Sequence, residues 1–433
     1  MGLKKTLSLA LLGIAVISSQ SLLAGDSERR QAKRIHDRLT GVPASNATID
    51  TMEGLLLSDP NCPSLPACGK IAAEYAINTS LNANARYFYN VTLKNFAAPW
   101  TNEEQTVFTP LNDYIATVIG MVRDGVDFRE VLYGDIVYRG DNLTLPINAY
   151  SDSDNLHYEQ LESLGPINGD LSNPAILVSD AQSNLTPARQ AWGSGATAGV
   201  MTSRAGAMAF FSDGTNRAMF RFTLMNHLCT DLEPLKDISR TPDRVRQDVS
   251  RSPGGDSRIF LNSCVGCHAG QDGMAGAYAY YEWDYTNDKS DGNLVFTDGV
   301  VSGKHLINPT NFEPGYVTTD DSWINYWRNG PNSVLGNRPL DSGSGWGSYS
   351  GLTFDGKNNA TGFGAKSLGM ELANSKAFAQ CQVDKVYQSV CLRDPNVFAA
   401  DRSARDLIVG NFTSSGYDMR EVFTDVAAQC KGS

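Results

Sequence analysis

CVGCHAGQDGMAGAYAYYEWD, Cys264 to Asp284, is the stretch on which the reading of this chain turns. Two thiols three positions apart, Cys264 and Cys267, are followed at once by His268. That spacing suits covalent c-type haem attachment. Each thiol can add to one vinyl group of a porphyrin, and the turn between them sets the imidazole under the iron as proximal ligand. The rival chemistries fit less well. A redox CxxC motif has no use for the histidine and belongs in a βαβ setting, which the surrounding pattern lacks. A structural zinc site wants a second Cys or His pair at suitable spacing, and none follows. The motif occurs once. The residues therefore predict one covalent haem c, with Cys264, Cys267 and His268 as binding residues and His268 as metal ligand.

The N-terminus favours this reading. Lys4 and Lys5 precede an apolar run from Leu7 to Ile17, and a small-residue stretch ends near Ser21 or Ala24. The run is shorter than the roughly 20 residues of a membrane span, so residues 1–24 read as a signal peptide. The residue after each plausible cut is not Cys, which argues against a bacterial lipid anchor, and no later segment reads as a membrane span. A periplasmic or secreted location is expected, which is where c-type haem is ligated. With Lys4 and Lys5 removed, the net charge goes from −11 to −13. Such an acidic chain is a poor partner for nucleic acid or anionic lipid. The expected partner is a redox protein or a small electron acceptor.

With 433 residues the chain can build two or three packed units, and its 40 Gly and 18 Pro imply long loops between them. Helical periodicity marks Ser27–Leu39, Ala67–Asn78, Asn84–Asn95, Ser203–Phe211 and Asn216–Leu228. It returns in Ala377–Val390, Ala404–Asn411 and Met419–Ala428. Thr101 and Glu104 read as a capping box opening the helix that runs through LNDYIATVIGMV. Thr241-Pro242-Asp243 reads as another helix start. Strand alternation is scarce outside short patches such as Leu294–Phe296. The fold class expected is mostly α: a multi-helix, cytochrome c-like core with long irregular loops and a C-terminal helical module. The segments are 25–195, an N-terminal helical region; 196–300, the haem-binding core; 301–364, a loop-rich insert; and 365–433, the C-terminal module.

A wider pattern surrounds the motif. Thr202 to Met208 (TSRAGAM), the Asn216-Arg217 to Arg221 stretch, SKAFAQCQVDKVYQSVCLR near the C-terminus and SGYDMREVFTDVA after it accompany CxxCH. Together they resemble planctomycete-type cytochrome c proteins, from roughly Asp127 onward, with a weaker echo at Arg38-Leu39-Thr40-Gly41. That family has an Arg-Ala-Gly or Arg-Gly-Gly helix start, an Arg-rich helix, CxxCH with a following Asp-Pro-x-Gly, and a closing helical module. Here Gly273 replaces the proline after Asp272, and Lys385 stands where the family usually has Arg. The resemblance implies a mono-haem exported cytochrome without an established reaction.

Several residues compete for the sixth iron position: His227, His305, Met201, Met208, Met225, Met274, Met370 and Met419. Met274 would require a sharp turn round the porphyrin. Met201, Met208, Met219 and Met225 share helical spacing with Phe210, Phe211, Phe220 and Phe222, a stripe that suits a core better than a ligand set. Arg240, Arg244, Arg246, Arg251 and Arg258 crowd the approach to the motif. They can pair with haem propionates or simply with Asp243, Asp248 and Asp256. Tyr278, Tyr280, Tyr281, Trp283 and Tyr285 either wall the porphyrin or form core. DYTNDKSDGN, from Asp284, lacks EF-hand order and reads as a solvated turn. Of the other cysteines, Cys62 and Cys68 suit a local bridge. Cys381 and Cys391 lie about 15 Å apart on one helix and cannot join each other, so each should reach Cys430 or Cys229.

Two functions follow: electron transfer through a low-spin haem, or a peroxidase- or oxygenase-like haem enzyme with an open sixth site. The enzyme needs a distal base beside a charge-stabilising donor. His227 with Arg221 is the nearest pair, and positions six apart on a helix converge poorly; His305 with a distant arginine stays open as a second pair. Electron transfer is therefore the favoured expectation.

Overall fold

Asn112 is where the chain enters its most deeply buried helix, Asp113–Asp124. The Asn112 side chain accepts the Ile115 N–H, Asp113 adds negative charge to the first turn, and Gly125 closes the end at φ +64°. Every residue from Asp113 to Val122 is buried, as its nearly continuous apolar sequence requires. The expected start at Thr101 is thus corrected: this helix begins at Asp113 under its own asparagine cap. The capping box and the signal peptide lie outside the described residues. A computed structural model describes residues 27–62, 67–98, 110–306, 311–328, 335–336, 353–354 and 359–432.

The chain is mostly α, 57% helical against 8% strand, as its periodicity predicts. It forms two compact units. One comprises the described parts of Met1–Thr92, Asp384–Asn411 and Arg420–Ser433; the other comprises those of Leu93–Val383 and Phe412–Met419. Segments 25–195 and 365–433 are each shared between these units, because the two ends of the chain pack together. In the first unit a helix over residues 27–40 sends Arg34 to the Lys431 carbonyl (2.6 Å) and Arg38 to the Cys430 carbonyl (3.1 Å). The Phe88 and Phe423 rings meet edge-on at 5.0 Å. The disulfides Cys62–Cys68 and Cys391–Cys430 also belong to this unit.

The second unit holds the motif. Its helices include Arg204–Phe210, Arg217–Leu228, Val265–Ala275 and Gly364–Ala373. Its strands make three small antiparallel sheets: Val137–Gly140 with Leu177–Asp180, Tyr281–Asp284 with Asn293–Phe296, and Ala360–Phe363 between Ser322–Asn325 and Thr353–Phe354. The Leu294–Phe296 patch is a strand as expected. Within the loop-rich insert 301–364, Ser322–Asn325 is a strand that carries Trp323 and Ile324 into the core. One expectation fails here. Thr241-Pro242-Asp243 opens no helix. The Val245 N–H returns to the Pro242 carbonyl as one turn, and the backbones of Val245 and Gln247 then bond to Tyr316. With those groups committed, Arg246 turns inward and no helix propagates.

Candidate functional site

The motif sits on a continuous helical run: Ser257–Ile259, a π-turn at Phe260–Cys264, then Val265–Ala275. Asp256 caps it by accepting the Arg258 N–H. The buried side of this run is made of small residues. A Cβ on Gly270 would lie 2.3 Å from the Trp327 indole, and one on Gly273 would lie 2.9 Å from the Ile324 carbonyl. Gly273 thus lets the strand Ser322–Asn325 approach the helix closely. Val265 joins Val245, Val249 and Phe260 in an apolar cluster against which Cys264 packs.

The cysteines divide into two populations. Six are closed as Cys62–Cys68, Cys229–Cys381 and Cys391–Cys430, in agreement with the pairings expected from spacing. The two that remain as thiols are Cys264 and Cys267, both half-buried. Burial, with Glu233 nearby, pushes the Cys267 thiol up. A redox CxxC pair needs the opposite shift.

His268 is half-buried, and its Nδ1 faces the Asp272 carboxylate one helical turn on, at 3.3 and 3.4 Å. With the proton on Nδ1 donated to Asp272, Nε2 is the nitrogen left to coordinate. Asp272 is completely buried. Arg217 grips it with two bonds, at 2.6 and 3.0 Å, and grips Asp248 with two more at 2.9 Å. Burial alone would raise the Asp272 carboxyl, but Arg217 and then His268 outweigh it and hold it far below the usual carboxylate range. Arg246, 3.7 Å from Asp248, continues the network and donates to Nδ1 of the buried His305. From sequence, Asp272 and Arg217 have no role beside His268, and Asp248 is only an ion-pair partner for the neighbouring arginines. The i, i+4 spacing of His268 and Asp272 was the available signal.

Three of the sixth-ligand candidates, His227, Met201 and His305, are engaged by other side chains. His227 Nε2 shares a 2.6 Å hydrogen bond with the Tyr114 hydroxyl, and the Met201 sulfur accepts one from Tyr278. His305 is engaged by Arg246. Met274 and Met419 are core, while Met208, Met225 and Met370 are half-buried. Arg221 pairs with Asp231 at 2.8 Å, so it does not join His227 as a distal pair. Tyr114, Met201, Met219, Thr223, Asn226 and His227 line a cavity of about 10 Å³. That is room for one water and far too little for a porphyrin. Tyr278, Tyr281 and Trp283 are core; Tyr285 donates to Asp213.

Of the five arginines, Arg240 pairs with Asp237, Arg258 with Asp256, Arg246 approaches Asp248, and Arg244 lies over Tyr316. Arg251 differs. Its guanidinium lies 3.6 Å from the Phe312 centroid and 4.4 Å from that of Phe260, with no ion pair among the described residues. Phe260 in turn lies 6.5 Å from the His268 ring. Exposed apolar side chains accompany the thiols. Ile259 and Leu261 precede Cys264 on the same run, and Ile238 lies against Gly266.

These features fit a haem: two free thiols, an imidazole with one nitrogen tethered, uncovered apolar surface beside them, and a cation without a carboxylate. Comparison with family models, with curated proteins and with solved structures finds no match.

Proposed function

We propose that the chain is an exported mono-haem c-type cytochrome that transfers electrons to a redox protein or a small acceptor. The observation that carries this is the division of the cysteines: three disulfides take six, and the two left as thiols are those of CxxCH. Attachment needs no outside oxidant. Each S–H adds across one vinyl double bond, sulfur to one carbon and hydrogen to the other. His268 would hold the iron through Nε2, and Arg251, set between Phe260 and Phe312, would be the cation for a propionate. The bound haem supplies a one-electron couple. Ile238, Ile259 and Leu261 keep water from its edge.

Three disulfides favour an oxidising compartment, and no helix among the described residues is long and apolar enough to cross a membrane. The resemblance to planctomycete-type cytochromes belongs to the same proposal. For the enzyme alternative, Arg221 is committed to Asp231 and His227 to Tyr114, whereas His305 does meet an arginine, Arg246.

The test is production of the full chain in a host that attaches c-type haem, followed by ferric and ferrous spectra with and without carbon monoxide. The expected ferrous haem is six-coordinate, slow to bind carbon monoxide and without peroxide turnover. A high-spin ferric spectrum with saturable peroxide consumption would replace electron transfer by the enzyme reading.

A further inference from the structure

Behind His268 lies a set of four charged side chains, two of each sign: Asp272, Asp248 and Arg246, whose side chains are buried, and Arg217, which is partly exposed. Buried carboxylates are costly unless their charge is met by well-aligned donors. Here the Arg217 fork meets both carboxylates, and the Arg246 N–H reaches Asp272 at 3.5 Å. Asp272 therefore stands behind the imidazole as a charged, buried acceptor, its two oxygens shared between Arg217 and His268. A neutral carbonyl in that position would accept the same proton with less pull.

Resting on the assignment of His268 as proximal ligand, we propose that Asp272 is its positioning residue and holds the haem at a low reduction potential. The carboxylate fixes the ring by accepting the Nδ1 proton. It also draws that proton toward itself, leaving more electron density on Nε2. A more electron-rich ligand stabilises ferric over ferrous iron, and second-shell partners of a metal-bound histidine are known to act this way. Arg217 tempers the effect by sharing the carboxylate's charge. Losses at the two positions should therefore move the potential in opposite directions, whereas a residue that only supports packing would produce no such pairing.

The experiment is spectroelectrochemical titration of the matured, haem-bearing protein and of its Asp272→Asn, Asp272→Glu and Arg217→Gln variants. Covalent haem content is measured first on each. At a fixed potential near the native midpoint, Asp272→Asn should raise the ferrous-to-ferric ratio tenfold or more, which is about 59 mV for a one-electron couple. Asp272→Glu should stay within threefold of native, and Arg217→Gln should lower the ratio. Absence of covalent haem in the native protein overturns the proposed function, and the present inference with it. Native haem content with an unchanged ratio in Asp272→Asn overturns the inference alone. If that variant does not accumulate, Arg217→Gln decides: a lowered ratio supports the inference, and an unchanged or raised one overturns it.

Discussion

Two helices in this molecule carry a pair of cysteines and a π-turn that ends on one of them. In the run from Ser257 to Ala275 the π-turn ends at Cys264; in the run from Lys376 to Cys391 it ends at Cys391. The cysteines of the C-terminal run, Cys381 and Cys391, are ten positions apart, buried, and closed on Cys229 and Cys430. Those of the motif run are three apart, half-buried and open. The first pair clamps distant stretches of chain, and the second stays open as two half-buried thiols beside a histidine. Spacing and exposure, rather than cysteine count, separate scaffold from chemistry.

The sharpest way to break that contrast is to exchange the losses. Cys264→Ala with Cys267→Ala should abolish covalent haem, measured after acid-acetone extraction. Cys229→Ala with Cys381→Ala should leave haem attached and reduce stability. Retained covalent haem in the first variant would end the comparison. Among the bridges, the cost should follow the closed loop. Cys229–Cys381 spans 152 residues and Cys391–Cys430 spans 39, against 6 for Cys62–Cys68. Chain entropy gives about 4 kcal/mol or more for the two long loops and about 2 for the short one. Denaturant midpoints of the three double-alanine variants check this order.

A smaller effect separates the helices by packing. Gly270 lies against Trp327, so Gly270→Ala should destabilise by about 1–3 kcal/mol. Gly410, on the helix Ala399–Ser414, has nothing within 4 Å of an added Cβ, so Gly410→Ala should stabilise by about 0.5–1 kcal/mol. Thermal melts of the two variants give the signs directly, and equal signs would contradict the packing account.

The last effect is in pH and shows only in acid. Burial, then Arg246 and Lys304, pushes His305 down to about 2, whereas the unfolded residue titrates near 6.5. The unfolded chain therefore binds the extra proton as pH falls below about 6.5, and stability should decline with it. Replacing His305 with Asn should remove up to one proton from the slope of unfolding free energy against pH between about 6 and 4. An unchanged slope would place the acid sensitivity elsewhere.

These cases also mark what the sequence could disclose. Cys264, Cys267 and His268 are legible because their chemistry needs them adjacent, and the helices at Arg217–Leu228 and Met419–Gln429 because their apolar faces repeat. Asp272's grip on Arg217, and Arg217's on Asp248, join positions 31 to 55 apart, which no local pattern encodes. Thr241-Pro242-Asp243 misled because its cap residues met backbone partners at Tyr316 instead of a following helical turn. The strand Ser322–Asn325 went unseen because its inward residues, Trp323, Ile324 and Asn325, do not alternate with exposed ones. Gly273 makes sense only once Ile324 is packed against it.

The most direct test of the central claim is the intact mass of the exported protein under denaturing conditions, with a haem stain of the same sample. The account predicts the chain plus one haem, bound through two thioethers and retained on unfolding. A bare chain lighter by two hydrogens than three disulfides require, with Cys264 bonded to Cys267, would contradict it.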